Sequence, residues 1–174
     1  MEVCGDRCVD IIQEFVYSID HHNRDRALDM ASGDGRLTVD FLLGQYKKVD
    51  LFDKCFIAYK KAKAACAFHP SFGSAERCEI EDWEYEFQYS AIYMVWCVGY
   101  FTKPKLVKAL KDAKEHLIPE KGRISRNRPP ESFIFVFDTV LDKIEKSYED
   151  REQRVRHQDE LETIFKEADL LIYK

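Results

Sequence analysis

The chain has 174 residues and a formal net charge of −5, a length that suits one domain with a substantial core. Ordinary apolar content and sparse Gly and Pro exclude disordered and collagen-like classes. No apolar run reaches the length of a membrane span, residues 1–20 lack the basic-then-apolar pattern of a secretory leader, and the acidic balance argues against general affinity for nucleic acid.

In chain order, Val9 to Ile19 places Val9, Ile12, Phe15, Val16 and Ile19 on one helical face. A polar connector leads to a first strand at Arg26–Asp29. A helix is expected from Leu37 to Tyr46, with Leu37, Phe41 and Leu42 inward, then a strand at Lys48–Phe52. Cys55–Cys66 reads as a helix with Phe56, Tyr59, Ala62 and Cys66 in register, His69–Ser74 as a loop, and Arg77–Ile80 as a short strand. Ala91–Cys97 has the continuous apolar character of a central strand buried on both faces. Lys103–His116 is an amphipathic helix with Leu106, Leu110 and Ala113 inward. Ser132–Phe137 is another buried strand, Arg151–Ala168 a charged helix held by Val155, Leu161, Ile164 and Phe165, and Leu170–Tyr173 a final strand. Strands alternating with helices predict one parallel α/β sheet, with residues 1–22 as an N-terminal helix and residues 26–174 as the core of a single domain.

The most informative stretch joins the first strand to the next helix. Asp29 is followed by Met30-Ala31-Ser32-Gly33-Asp34-Gly35-Arg36, a small-residue turn. Glycines there bring backbone close to a ligand, and the first N–H groups of the following helix face any anion held at that point. Asp53 comes eighteen residues after Gly35, at the tip of the next strand, where an acidic residue holds a ribose hydroxyl pair. The six cysteines form no CxxC pair and the five histidines no ligand spacing, so no metal site is expected. Cys55, Cys66, Cys78 and Cys97 read as reduced core thiols, which points to the cytoplasm or another reducing compartment.

Leu28–Thr38, Phe41-Leu42-Leu43 and Val49–Asp53, with Tyr93-Met94-Val95-Trp96-Cys97-Val98-Gly99-Tyr100-Phe101-Thr102, resemble the class I S-adenosylmethionine-dependent methyltransferases that methylate protein N-terminal amines at Xaa-Pro-Lys sequences. The resemblance covers roughly residues 10–174. It implies a Rossmann-like sheet and a set of site residues. Asp29, Gly33, Gly35 and Arg36 fall on the methionine end of the cofactor, Asp53 on the ribose, and Ile80, Glu81, Asp82 and Trp83 on the adenine. Trp96, Tyr100 and Asp138 fall on the substrate side, where catalysis is expected.

The sequence departs from the family pattern at the chemistry. Ala31 replaces the first loop glycine, Val95 the Gln before the signature Trp, Tyr100 the signature His, and Thr139 the Asn after Asp138; Arg151 aligns loosely with an acid. An amine methylase needs a base within hydrogen-bond reach of its substrate nitrogen, and a tyrosine hydroxyl is a poor base at neutral pH. The resemblance further implies an N-terminal glycine-rich lid and a C-terminal hairpin, for both of which the chain lacks residues, so a sheet truncated at both ends is expected. Two readings stay open: a degenerate member, with weak or lost S-adenosylmethionine binding, acting as an interaction subunit of a larger assembly; or an active methyltransferase with altered residues. The first expects a protein partner over residues 132–138 and 169–174, with Arg123, Arg126 and Arg128 near an acidic surface.

Overall fold

A computed structural model describes residues 3–19, 23–119, 130–141 and 155–172. The loop carrying Arg123, Arg126 and Arg128 lies outside the described residues, as does Arg151. Helix α1 (Val3–Ser18) precedes β1 (Arg26–Met30). Helix α2 follows, π-wound over Thr38–Leu42 and α-helical over Leu43–Gln45. Then come β2 (Lys48–Phe52), α3 (Phe56–Cys66), β3 (Phe72–Glu76), β4 (Ala91–Val95), α4 (Lys103–Glu115) and β5 (Phe133–Phe137). A two-residue parallel pair, β6 (Val140–Leu141) with β7 (Arg156–His157), leads into α5 (Gln158–Glu167).

The five longer strands form one parallel sheet in the order β3-β2-β1-β4-β5. The order reverses between β1 and β4, the position where open α/β sheets bind ligands at the carboxyl ends of their strands. Alternation along the strands divides the core. Ala27, Val49, Leu51, Ala91 and Tyr93 meet α1, α2 and α3 through Ile12, Val16, Leu42 and Cys66. Leu28, Met30, Phe52, Ile92 and Met94 turn to the opposite face and meet α4 and α5 through Leu106, Leu110 and Ile164. The period of two in each strand thus fills two separate cores, as a doubly covered parallel sheet requires.

In the middle of β2, the buried Asp50 accepts from Arg26 Nη1 at 2.5 Å, Ser74 N–H at 2.8 Å, Ser74 Oγ at 3.0 Å and Tyr89 Oη at 3.2 Å. The Arg26 guanidinium also lies over the Phe87 ring. This charge is buried but fully partnered, the condition under which a buried ion is tolerated.

Several expectations need correction. The third strand is Phe72–Glu76, where a loop was expected, and Ile80 opens a 3₁₀ turn (Ile80–Asp82) instead of closing a strand. Edge pairing with β2 decides this, despite a Phe-Gly-Ser-Ala-Glu sequence of low strand propensity. Phe56 is 52% exposed because α3 turns only Ala62 and Cys66 fully inward. Cys55, at the cap of α3, is exposed, whereas Cys66 and Cys97 are buried and Cys78 is half-buried. Strand β5 is one of the two outer strands among those described, so its residues after Phe133 are half-buried. Helix α5 starts only at Gln158, which leaves Val155 and Arg156 in extended chain. Leu170–Ile172 is not a strand: Asp169 adopts φ 55° and the Leu170 N–H returns to the Phe165 carbonyl, a left-handed stop to α5.

Candidate functional site

The turn after β1 reverses the chain through three left-handed residues, Ala31 (φ 56°), Gly33 (φ 58°) and Gly35 (φ 80°). Ser32 N–H bonds to the Phe52 carbonyl at 3.0 Å, which ties the turn to the tip of β2. The two glycines serve different ends. A Cβ on Gly35 would lie 2.7 Å from Ala62 Cβ and 2.9 Å from Ala62 Cα, so this glycine lets the loop pack against α3. A Cβ on Gly33 would meet nothing within 4 Å, so Gly33 presents bare backbone to open space. Ala31 holds the same left-handed conformation with a side chain, at a cost of about 1–2 kcal/mol.

Asp53, nearly buried, stands at the tip of β2. Its Oδ2 accepts the Gly33 N–H at 2.8 Å and its Oδ1 the Cys55 N–H at 2.7 Å. These bonds fix the carboxylate and leave each oxygen a further lone pair. Beside it opens a cavity of about 270 Å³, walled by Ala31, Gly33, Phe52, Asp53, Ile80, Tyr100 and Phe101, with Cys55, Cys78 and Cys97 among the remaining wall residues. Burial, reinforced by Glu76 and neighbouring carboxylates, pushes the Cys78 thiol up to about 12. Burial, then Asp138, also raises the Cys97 thiol. Both are therefore neutral, weakly polar surface at pH 7.

The expected site residues divide. Gly33, Asp53, Ile80 and Tyr100 meet at the cavity, with Tyr100 52% exposed at its wall. Asp29 does not line it; buried, it accepts from Thr38 Oγ1 at 2.6 Å, and burial raises its carboxyl to about 6. Its place is under the loop, joining β1 to α2. Gly35 is packing. Arg36 is exposed and bridges to Asp40 along the helix at 3.4 Å. Glu81 is paired with Lys105, whose ammonium holds its carboxyl below the usual range. Asp82 lies exposed in the same turn. Trp83 stacks on Phe52, centroids 4.9 Å apart, so it backs a cavity residue, and its Nε1 is buried without an acceptor among the described residues.

Trp96, expected on the substrate side, adopts φ 57° at the end of β4. Its N–H bonds to the Phe137 carbonyl at 2.8 Å and its ring packs edge-on against Phe137. It turns toward β5 and not into the cavity wall. Asp138, at the end of β5, accepts from Gly99 N–H at 3.3 Å and Thr139 N–H at 2.8 Å. The wall residues Phe52, Lys54, Cys55, Ala58, Cys78, Cys97 and Phe101 were not foreseen as site residues. Of these, Phe52, Cys97 and Phe101 lie within the segments that carry the resemblance; the others carried no signal.

Among the described residues no group of His, Cys, Asp or Glu is placed to hold a metal ion, and no helix is long and apolar enough to cross a membrane. The family of AdoMet-dependent proline di-methyltransferases matches residues 6–174. N-terminal Xaa-Pro-Lys N-methyltransferase 1 of Xenopus tropicalis is 29% identical over 120 residues, covering 68% of this chain and 49% of the relative; the chain therefore spans about half of that relative's length. A SAM-dependent methyltransferase from Leishmania major superposes with a TM-score of 0.85 at 23% identity, over 100% of this chain and 66% of the other. A second, from Clostridium acetobutylicum, gives 0.74 at 14% identity, over 96% and 81%. At these identities the structural likeness establishes the Rossmann-like methyltransferase fold, and the sequence match extends further: this chain belongs to the AdoMet-dependent proline di-methyltransferase family.

Proposed function

We propose that the chain binds S-adenosylmethionine weakly in the cavity between the β1 turn and Asp53, and that its capacity for N-terminal amine methylation is reduced or lost. The carrying observation for binding is the Asp53 carboxylate, held by Gly33 and Cys55 N–H groups beside backbone that no side chain covers. The wall fits the group. A fixed carboxylate suits a ribose diol, and Phe52, Ile80 and Phe101 offer apolar surface to a flat heterocycle. When bound, the cofactor supplies an electrophilic methyl group. Asp53 and Gly33 would hold its nucleoside, and Tyr100 would stand at the wall beside them.

Weak transfer follows from the acceptor side. Asp138 already accepts two backbone N–H groups, and Thr139 and Tyr100 stand where the family pattern has Asn and His. Calorimetric titration with S-adenosylmethionine tests the first half, and Asp53→Ala should abolish the heat. Radiolabel transfer to Xaa-Pro-Lys peptides tests the second. Turnover comparable to an active relative, lost in Trp96→Ala, would overturn it. A second reading, an interaction subunit, draws on the outer edge of β5, which pairs with no strand among the described residues and so offers backbone groups to a partner strand. A chain that remains monomeric, with β5 amides exchanging as a free edge in cell extract, would count against it.

A further inference from the structure

Arg156 falls within the charged helix expected over Arg151–Ala168, but the structure buries it to 2% exposure on β7. Its Nη1 donates to the Val98 carbonyl at 2.6 Å, its Nη2 donates to the Phe101 carbonyl, and its Nε lies 3.3 Å from Glu160 Oε1. The two carbonyls bracket the 3₁₀ turn Val98–Tyr100. That turn and its flanks bring Cys97, Tyr100 and Phe101 to the cavity, and Gly99 N–H meets Asp138. The guanidinium thus grips the cavity wall from behind without lining the cavity.

Stability alone does not account for it. Burying a cation costs several kcal/mol before its partners are counted, and well-packed apolar side chains often serve as well or better. What an apolar residue cannot do is orient two carbonyls three residues apart. A planar fork does so, and an ammonium, a single point of charge, does it poorly. We infer that Arg156 is a positioning residue for the cofactor cavity, fixing the 97–101 turn so that Tyr100 and Phe101 form its wall. The inference rests on the proposed S-adenosylmethionine site for its consequence, and on the turn itself for its geometry.

The test compares the unaltered chain, Arg156→Ala, Arg156→Lys and Asp53→Ala, by hydrogen exchange and by calorimetry with S-adenosylhomocysteine. Arg156→Ala should speed exchange of the Gly99–Phe101 amides at least about tenfold and weaken affinity about 10- to 100-fold, the scale for removing a residue that supports a binding shell. Exchange in β1 and β2 should hold. Arg156→Lys should share both defects, and guanidinium ion at millimolar concentration should partly restore Arg156→Ala. Asp53→Ala should lose affinity with the turn's exchange unchanged. Unchanged exchange and affinity in Arg156→Ala would overturn the inference, as would global unfolding of both Arg156 variants, which would make the residue a general stabiliser. If the unaltered chain binds no S-adenosylhomocysteine, the site reading fails, and the exchange result alone decides the role of Arg156.

Discussion

Gly35 and Gly33 sit two residues apart in one turn, both left-handed, yet the structure assigns them opposite sensitivities. Gly35→Ala drives a Cβ to 2.7 Å from Ala62 Cβ and 2.9 Å from Ala62 Cα, where helix backbone cannot yield cheaply. Overpacking of this kind costs about 1–3 kcal/mol, and holding alanine at φ 80° adds about 1–2 kcal/mol. The sum, about 2–5 kcal/mol, corresponds to a fall in Tm of about 4–20 °C for a domain of this size. Gly33→Ala meets no atom and loses only the conformational part, about 1–2 kcal/mol, but it places a methyl group at the cavity beside Asp53. Thermal unfolding followed by circular dichroism, with cofactor titration of each variant, separates the two. Gly35→Ala should lose stability first, and Ala62→Gly should partly rescue it. Gly33→Ala should keep most of its stability and lose affinity. A Gly35→Ala protein melting within 2 °C of the unaltered chain would refute the packing argument.

Other outcomes follow from the same geometry. Ala31→Gly relieves a left-handed alanine and should stabilise the fold by about 0.5–1 kcal/mol net of the glycine's extra unfolded entropy, read by denaturant unfolding; destabilisation would count against the strain. Burial raises the Asp29 carboxyl to about 6 against about 3.9 unfolded, so the folded state holds this proton more tightly. The resulting contribution is complete below about pH 4 and is lost as pH rises to about 6, so Asp29→Asn should gain about 2–3 kcal/mol relative to the unaltered chain between pH 4 and 7. A pH-independent difference would contradict this. Asp50→Ala leaves Arg26 and Tyr89 without their shared acceptor and should cost about 3–5 kcal/mol, with cofactor affinity unaffected in whatever remains folded, because no member of the cluster lines the cavity.

Much of the fold was legible because its signals are local. The apolar runs Lys48–Phe52 and Ala91–Val95 are strands with nearly the bounds expected, and Leu106, Leu110 and Ala113 face inward as their helical spacing dictates. The shift of β3 was not legible, because an edge strand draws its definition from its neighbour and Phe72–Glu76 carries little propensity of its own. At the cavity, the meeting of Gly33 and Asp53 was legible from their spacing. Arg36 and Glu81 do not line the cavity; each instead meets an opposite charge, Asp40 within one turn and Lys105 on α4, and the residue pattern does not carry that choice of partner. Arg156 was missed because a buried arginine and a solvated one look alike in sequence. Only the carbonyls of Val98 and Phe101, more than fifty residues away, distinguish them.

If the cavity between the β1 turn and Asp53 holds the cofactor, an amide correlation spectrum of the labelled chain titrated with S-adenosylhomocysteine will report it residue by residue. Saturable shifts are expected at Gly33, Asp53, Cys55, Ile80 and Tyr100, with Arg26, Asp50 and Ser74, none of which lines the cavity, unmoved, and with the response lost in Asp53→Ala. An unchanged spectrum at millimolar ligand, or shifts confined to residues outside this cavity, would contradict cofactor binding there.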